Sequence, residues 1–290
     1  MGPPAALAEL RPFADEVVSL ELHWDFYGIG QFYADFGQTS DEEVIACLQR
    51  VTGEPPASVV VGPDPHPRVD DADVVIADGA ALLRGRLAVP DRAPGVVVFA
   101  HGSGSSRHSP RNRLVAAILQ RAGIGTLLFD LLTPGEEADR SNVFDIDLLT
   151  RRLLLATGWL REQPGLDDAP LGYFGASTGA AAALQAAAGP GPDIAAVVCR
   201  SGRADLAGAR LAAVRAPTLL IVGGDDHRVL ELNRTAFAAL RCEKRLVVIP
   251  GASHLFDEPG TLMAAAGAAR AWFAGHLIPA AAVPPLTRRR

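Results

Sequence analysis

The stretch that decides the fold is Leu171-Gly172-Tyr173-Phe174-Gly175-Ala176-Ser177-Thr178-Gly179-Ala180-Ala181-Ala182. An apolar run that reads as a buried strand delivers a serine and passes at once into an alanine-rich helical pattern. A serine turned this sharply between strand and helix sits in a strained conformation, and the positions two before and two after it lie too close to neighbouring backbone for a side chain. Gly175 and Gly179 occupy those positions. A bare Gly-x-Ser-x-Gly is a weak signal, whereas its strand-turn-helix setting is a strong one. The expectation is a nucleophile elbow with Ser177 exposed at its tip.

A serine hydroxyl near neutral pH is almost never ionised and needs a general base within hydrogen-bond reach. Of the seven histidines, His254 has the fitting context: Arg245-Leu246-Val247-Val248-Ile249-Pro250 reads as a buried strand, and Gly251-Ala252-Ser253-His254 forms a loop just past its carboxyl end. Ligands of open α/β sheets bind at that edge. The run Thr218-Leu219-Leu220-Ile221-Val222 likewise ends in Gly223-Gly224-Asp225-Asp226, which offers an acid to orient the imidazole. Asp226 is favoured over Asp225 because one more residue after the glycines lets the loop bend back toward the site.

Acyl chemistry also needs backbone N–H groups aimed at the developing oxyanion. Val96-Val97-Val98-Phe99-Ala100 is a further buried strand, followed by His101-Gly102-Ser103-Gly104-Ser105-Ser106. The Ser103 N–H is the first expected donor, with Gly104 as its alternative, and the Thr178 N–H is the second. His101 precedes the glycine turn and reads as a structural residue, and His227 as a solvated residue at a helix start. A phosphate-binding loop is disfavoured, since Arg107 stands where a third glycine would be needed and no Gly-Lys-Ser/Thr follows.

The remaining elements alternate. Ser109-Pro110 starts a helix that Gly123 stops, Gly125 to Asp130 is a strand, and apolar residues from Ser141 through Leu160 recur at helical spacing up to Pro164-Gly165. Ile194 to Cys199 is a strand, followed by a short helix through Leu206 to Val214. Cys199 reads as core. Strand and helix alternation predicts an α/β fold, a mainly parallel central sheet with helices on both faces, preceded by one or two antiparallel strands between Asp73 and Val89.

From about residue 70 to 278 the chain resembles an α/β-hydrolase of the dienelactone-hydrolase-like group, on the motifs HGSGSSRHSPRN (101 to 112), GASTG (175 to 179), GGDD (223 to 226) and GASH (251 to 254). The order Ser177, Asp226, His254 is that of such hydrolases. Dienelactone hydrolases proper carry a cysteine nucleophile, so Ser177 favours a general serine hydrolase of small esters or lactones over dienelactone itself. The resemblance implies a Ser-Asp-His triad with no cofactor and no metal. The same residues would also serve an acyltransferase, and a silent fold acting as an interaction module is a further alternative.

The segment 1–55 is rich in aromatic residues between Trp24 and Phe36, which argues against disorder. It resembles the C-terminal tail of phosphoribosyltransferases fused ahead of hydrolases of this kind; the acidic signature that would hold a ribose phosphate is missing, so transferase activity is not implied. Residues 56–69 read as a proline-rich linker, 70–278 as the hydrolase domain and 279–290 as a tail. With 27 basic and 33 acidic residues the net charge is −6, which disfavours nucleic acid as a partner. Three cysteines and no signal-peptide pattern suggest the cytoplasm. No apolar run reaches the roughly eighteen residues of a membrane span. Fewer than about twenty residues separate Ser201 from the 218 strand, too few for a cap domain, so a small-molecule ester or lactone is the expected partner.

Overall fold

A computed structural model describes residues 69–277, except Pro192. The aromatic segment 1–55, the linker apart from Val69, and the 279–290 tail lie outside the described residues. Eight strands form one sheet in the order β1-β2-β4-β3-β5-β6-β7-β8. The strands are β1 (Val69–Asp78), β2 (Ala81–Pro90), β3 (Val96–Ala100), β4 (Gly125–Phe129), β5 (Leu171–Ala176), β6 (Ile194–Arg200), β7 (Thr218–Gly223) and β8 (Lys244–Ile249). β1 pairs antiparallel with β2, and β2 antiparallel with β4. From β4 to β8 every pairing is parallel. This is the α/β-hydrolase-like, mainly parallel sheet that the sequence predicts.

The continuous apolar strands follow from burial on both faces, because a parallel sheet covered by helices has no solvated side. Val96, Val98 and Ala100 of β3 face one core, with Leu149, Leu153 and Leu160 packed there from α4 (Ile146–Arg161). Val97 and Phe99 face the other, beneath Val115 and Leu119 of α1 (Pro110–Arg121) and Ala269 and Phe273 of the last described helix (Thr261–Leu277). Helix α5 (Thr178–Ala188) lies on the first face, and its first seven residues are all buried. Alanine suits that position, since it is small and has the highest helix propensity.

Capping chemistry sets the helix limits. Ser109 accepts the Asn112 N–H at the start of α1, with Pro110 as its first residue, and Gly123 follows the end with φ +81°. The periodic stretch beginning at Ser141 is not one helix. Asp145 takes a non-helical ψ of 88° and accepts the Leu148 N–H, so it ends α3 (Arg140–Phe144) and caps α4. An acid competing for a free N–H overrides periodicity here. The short helix expected over Leu206 to Val214 is a 3₁₀ stretch, Ala204–Ala213, interrupted by Gly208 at φ +54°. Buried Arg152 of α4 contacts Asp78 at 3.0 Å and Glu136 at 2.5 Å, which fastens α2 (Pro134–Glu137) against the sheet.

Two glycines should respond oppositely to alanine. Gly158 is exposed within α4, and a Cβ there meets nothing within 4 Å, so Gly158→Ala should stabilise the protein by about 0.5–1 kcal/mol. At Gly179 a Cβ would lie 2.1 Å from the Ala100 carbonyl oxygen, so Gly179→Ala should cost at least about 1–3 kcal/mol. Urea denaturation of both variants measures the two effects.

Candidate active site

Ser177 joins β5 to α5 with φ 51° and ψ −120°, a backbone conformation that a non-glycine residue adopts only when its surroundings force it. The forcing groups are identifiable. Ser177 N–H donates to the Arg200 carbonyl at 3.2 Å, and the Ser177 carbonyl accepts the N–H groups of Arg203 at 2.9 Å and Ala180 at 3.1 Å. A Cβ on Gly175 would stand 2.4 Å from Ala180 Cα, and one on Gly102 would stand 2.8 Å from Ser177 Cβ. The elbow therefore closes tightly against both its own helix and the loop after β3.

That loop is anchored from below by His101. The Leu131 N–H donates to His101 Nε2 at 3.0 Å, which puts the ring proton on Nδ1, where it is donated to the Gly102 carbonyl at 3.0 Å. Burial lowers the His101 pKa, so the imidazole stays neutral. Asp130 holds the far end of the loop through the Arg107 N–H at 2.7 Å and the Arg107 guanidinium. His101 is thus structural, as its position before the glycine turn predicts.

The loops after β7 and β8 are laced together by backbone. Gly224 N–H donates to the Ile249 carbonyl at 2.8 Å, and Asp225 N–H to the Ala252 carbonyl at 3.0 Å. A Cβ at Gly223 would lie 2.2 Å from the Ala252 oxygen. With Asp225 committed to this lacing through its N–H, the next residue carries its carboxylate to the imidazole: Asp226 Oδ2 is 2.6 Å from His254 Nδ1. Glu258 accepts the Ser253 N–H at 3.0 Å and steadies the same loop, and hydrogen bonds from Ser253 hold its carboxyl below the usual range.

Ser177 and His254 line one open cavity of about 550 Å³. Among the described residues no hydrogen bond joins their side chains; in unliganded enzymes such contacts are often long and tighten in the complex. The two expected oxyanion donors are placed differently. Thr178 is the first residue of α5, where its N–H has no helical carbonyl to bond. Ser103 lines the cavity, but its N–H donates to Thr178 Oγ1 at 3.0 Å and so is engaged in this structure. Cys199 is fully buried in β6, and burial pushes its thiol pKa far up, which fits a core residue.

The cavity also holds residues that motif reading passed over. Arg200 ends β6 with 8% of its surface exposed, and Ser201 follows at φ 44° and 2% exposure. The signal was present: a cation terminates an otherwise apolar strand at the edge where ligands bind. Burial, assisted by the Arg111 guanidinium, pulls the Arg200 pKa down to about 10, which leaves it charged at neutral pH.

Comparison with known proteins places this arrangement in a family. The sequence profile of the dienelactone hydrolase family matches residues 83–275, and the chain belongs to that family. It is 52% identical over 277 residues to a putative phosphoribosyl transferase, Rv0571c, of Mycobacterium tuberculosis; the match takes in 96% of this chain but 62% of that relative's length. It is also similar to the crystal structure of a dienelactone hydrolase from Anabaena variabilis, with 52% identity and a TM-score of 0.69 over 72% of this chain and 98% of that one. Est1E of Butyrivibrio proteoclasticus shares the fold at 16% identity and a TM-score of 0.60, over 70% of this chain and 98% of that one. The chain has the α/β-hydrolase fold of that family. Among the described residues no helix is long and apolar enough to cross a membrane.

Neutral, buried His101 has a pH consequence. Its folded pKa is below that of the unfolded chain, so as pH falls through about 6.5 the unfolded state gains a proton that the folded state refuses. Stability should decline across that window and level off at lower pH. His101→Asn should flatten this part of the stability profile, as read by chemical denaturation between pH 5 and 7.5 (roughly the span around the free histidine value).

Proposed function

We propose that the protein is a serine hydrolase of small esters or lactones working through an acyl-enzyme. The observation that carries this reading is the 2.6 Å contact of Asp226 Oδ2 with His254 Nδ1, on an imidazole that shares its cavity with the strained Ser177. In this reading Asp226 accepts a hydrogen bond from Nδ1–H, which leaves the unprotonated Nε2 as the base. Ser177 Oγ attacks the acyl carbon as its proton passes to Nε2, and the tetrahedral intermediate collapses as the imidazolium protonates the leaving oxygen. Water then attacks the acyl-serine by the same base, restoring the hydroxyl.

The Thr178 N–H, at the positive end of α5, is the first oxyanion donor in this scheme. The Ser103 N–H is the second, and it must exchange Thr178 Oγ1 for the substrate oxygen. The dienelactone hydrolase name of the Anabaena relative supports an ester or lactone bond as the one cleaved. Short loops around an open cavity support a small acyl group.

A panel of p-nitrophenyl esters and small lactones tests the proposal. Wild type should turn over at least one class, and Ser177→Ala should fall to the background rate. Asp226→Asn should retain the fold and lose several orders of magnitude in kcat, since the wrong imidazole tautomer is then held. Asp225→Asn should retain most of the activity, and the reverse ranking of the two aspartates would overturn the assignment.

A further inference from the structure

The cavity wall that includes Arg200 and Ser201 contains donors without a partner among the described residues. Arg200 Nε and Nη1 and Ser201 Oγ are buried without a hydrogen-bond partner among the described residues. The other guanidinium nitrogen, Nη2, reaches only Asn112 Oδ1 at a long 3.4 Å, and the group sits 5.9 Å from the Phe256 ring centroid. Leaving a buried charged donor unpaired costs more than an ordinary hydrogen bond returns, so such a group marks a place where a ligand completes the site.

Three elements supply the surroundings. The end of β6 brings Arg200 and Ser201, the first turn of the twelve-residue α1 brings Arg111 and Asn112, and the loop before it brings Ser105 and Ser106, all lining the same cavity as Ser177. The N-terminus of α1 adds positive potential to that wall, while its Asn112 and Arg113 N–H groups are taken by Ser109 and Pro110 has none. Arg111 is already balanced by Asp257 at 3.0 Å, whereas Arg200 has no carboxylate partner among the described residues. A neutral acyl or alcohol group offers too few acceptors for this set, and donors arriving from three separate elements suit a tetrahedral group with three free oxygens better than a planar carboxylate.

We propose that the wall formed by Arg200, Ser201 and the first turn of α1 is a phosphate subsite, and that the substrate is an ester or lactone bearing a phosphate group near the scissile bond. This rests on the serine hydrolase reading for its reaction and stands apart from it for binding. Arg200 is a binding residue here, with Ser201 Oγ donating beside it, and neither enters the acyl transfer.

The test compares kcat/KM for p-nitrophenyl butyrate, its ω-phosphonooxy analogue and its ω-carboxylate analogue. Wild type should prefer the phosphorylated ester over the neutral one by about tenfold to a hundredfold, the worth of one or two charge-assisted hydrogen bonds. In Arg200→Gln that ratio should fall toward one, and because it is taken within each variant a general loss of active protein cancels. Equal rates in wild type, a preference that survives Arg200→Gln, or a better carboxylate ester would overturn the phosphate subsite. Should Arg200→Gln fail to fold by circular dichroism, Ser201→Ala must lower the ratio by about threefold or more, and no change would overturn the proposal. Calorimetric titration of Ser177→Ala protein with inorganic phosphate separates the two readings: binding that Arg200→Gln abolishes in that background supports the subsite even where no ester is turned over, and absent binding overturns it while leaving ester hydrolysis standing.

Discussion

Backbone contact without intervening side chains is the constraint on which this site depends. Ser177 holds a φ of 51° because α5 starts so close to β5 and to the end of β3 that no Cβ fits at 175 or 179. The packing energy of the two cores supplies what the strained residue costs, which is of the order of 1–3 kcal/mol. The same device recurs at the other strand ends. Gly102 lets the β3 loop rest on the serine, and Gly223 lets the β7 loop rest on the β8 loop, so each pair of segments, distant in sequence, meets at backbone contact distance.

Electrostatics then divide the cavity into two sides. On one, Asp226 stands against the half-exposed His254, a polarity that suits proton transfer. On the other, Arg200 keeps its positive charge in spite of burial, with an aromatic ring and one long hydrogen bond for company. A structural arginine would be expected to resemble Arg152 on the far side of the sheet, which meets two carboxylates. Both guanidinia keep buried nitrogens without a hydrogen-bond partner among the described residues; the charge of Arg152 is answered by two acids, whereas Arg200, which lines the cavity, has no carboxylate partner there.

The sequence reveals this site unevenly, and for physical reasons. Gly175, Gly179 and Gly223 are legible because a forbidden Cβ leaves a residue type that can be read directly. The strands are legible because double-sided burial demands unbroken apolar runs. Asp145 is not, since its side chain wins a free N–H in competition with a helical pattern that continues past it, and only the folded geometry decides that contest. The Ser103 N–H is likewise a matter of loop register: nothing in GSGSS says that it turns to Thr178 Oγ1. Arg200 falls between the two cases, visible as a cation ending an apolar strand but unremarkable until the fold shows that two of its three nitrogens lack partners among the described residues.

The central claim is that the hydroxyl of Ser177 is activated by His254. Treatment with a fluorophosphonate, followed by peptide mass spectrometry, reads this most directly, because the reagent phosphonylates a serine only where a base removes its proton. The account predicts a single adduct on Ser177 in the wild-type protein that disappears in folded His254→Ala. An adduct that persists at full rate without His254, or an unmodified Ser177 in the folded wild type, would contradict it.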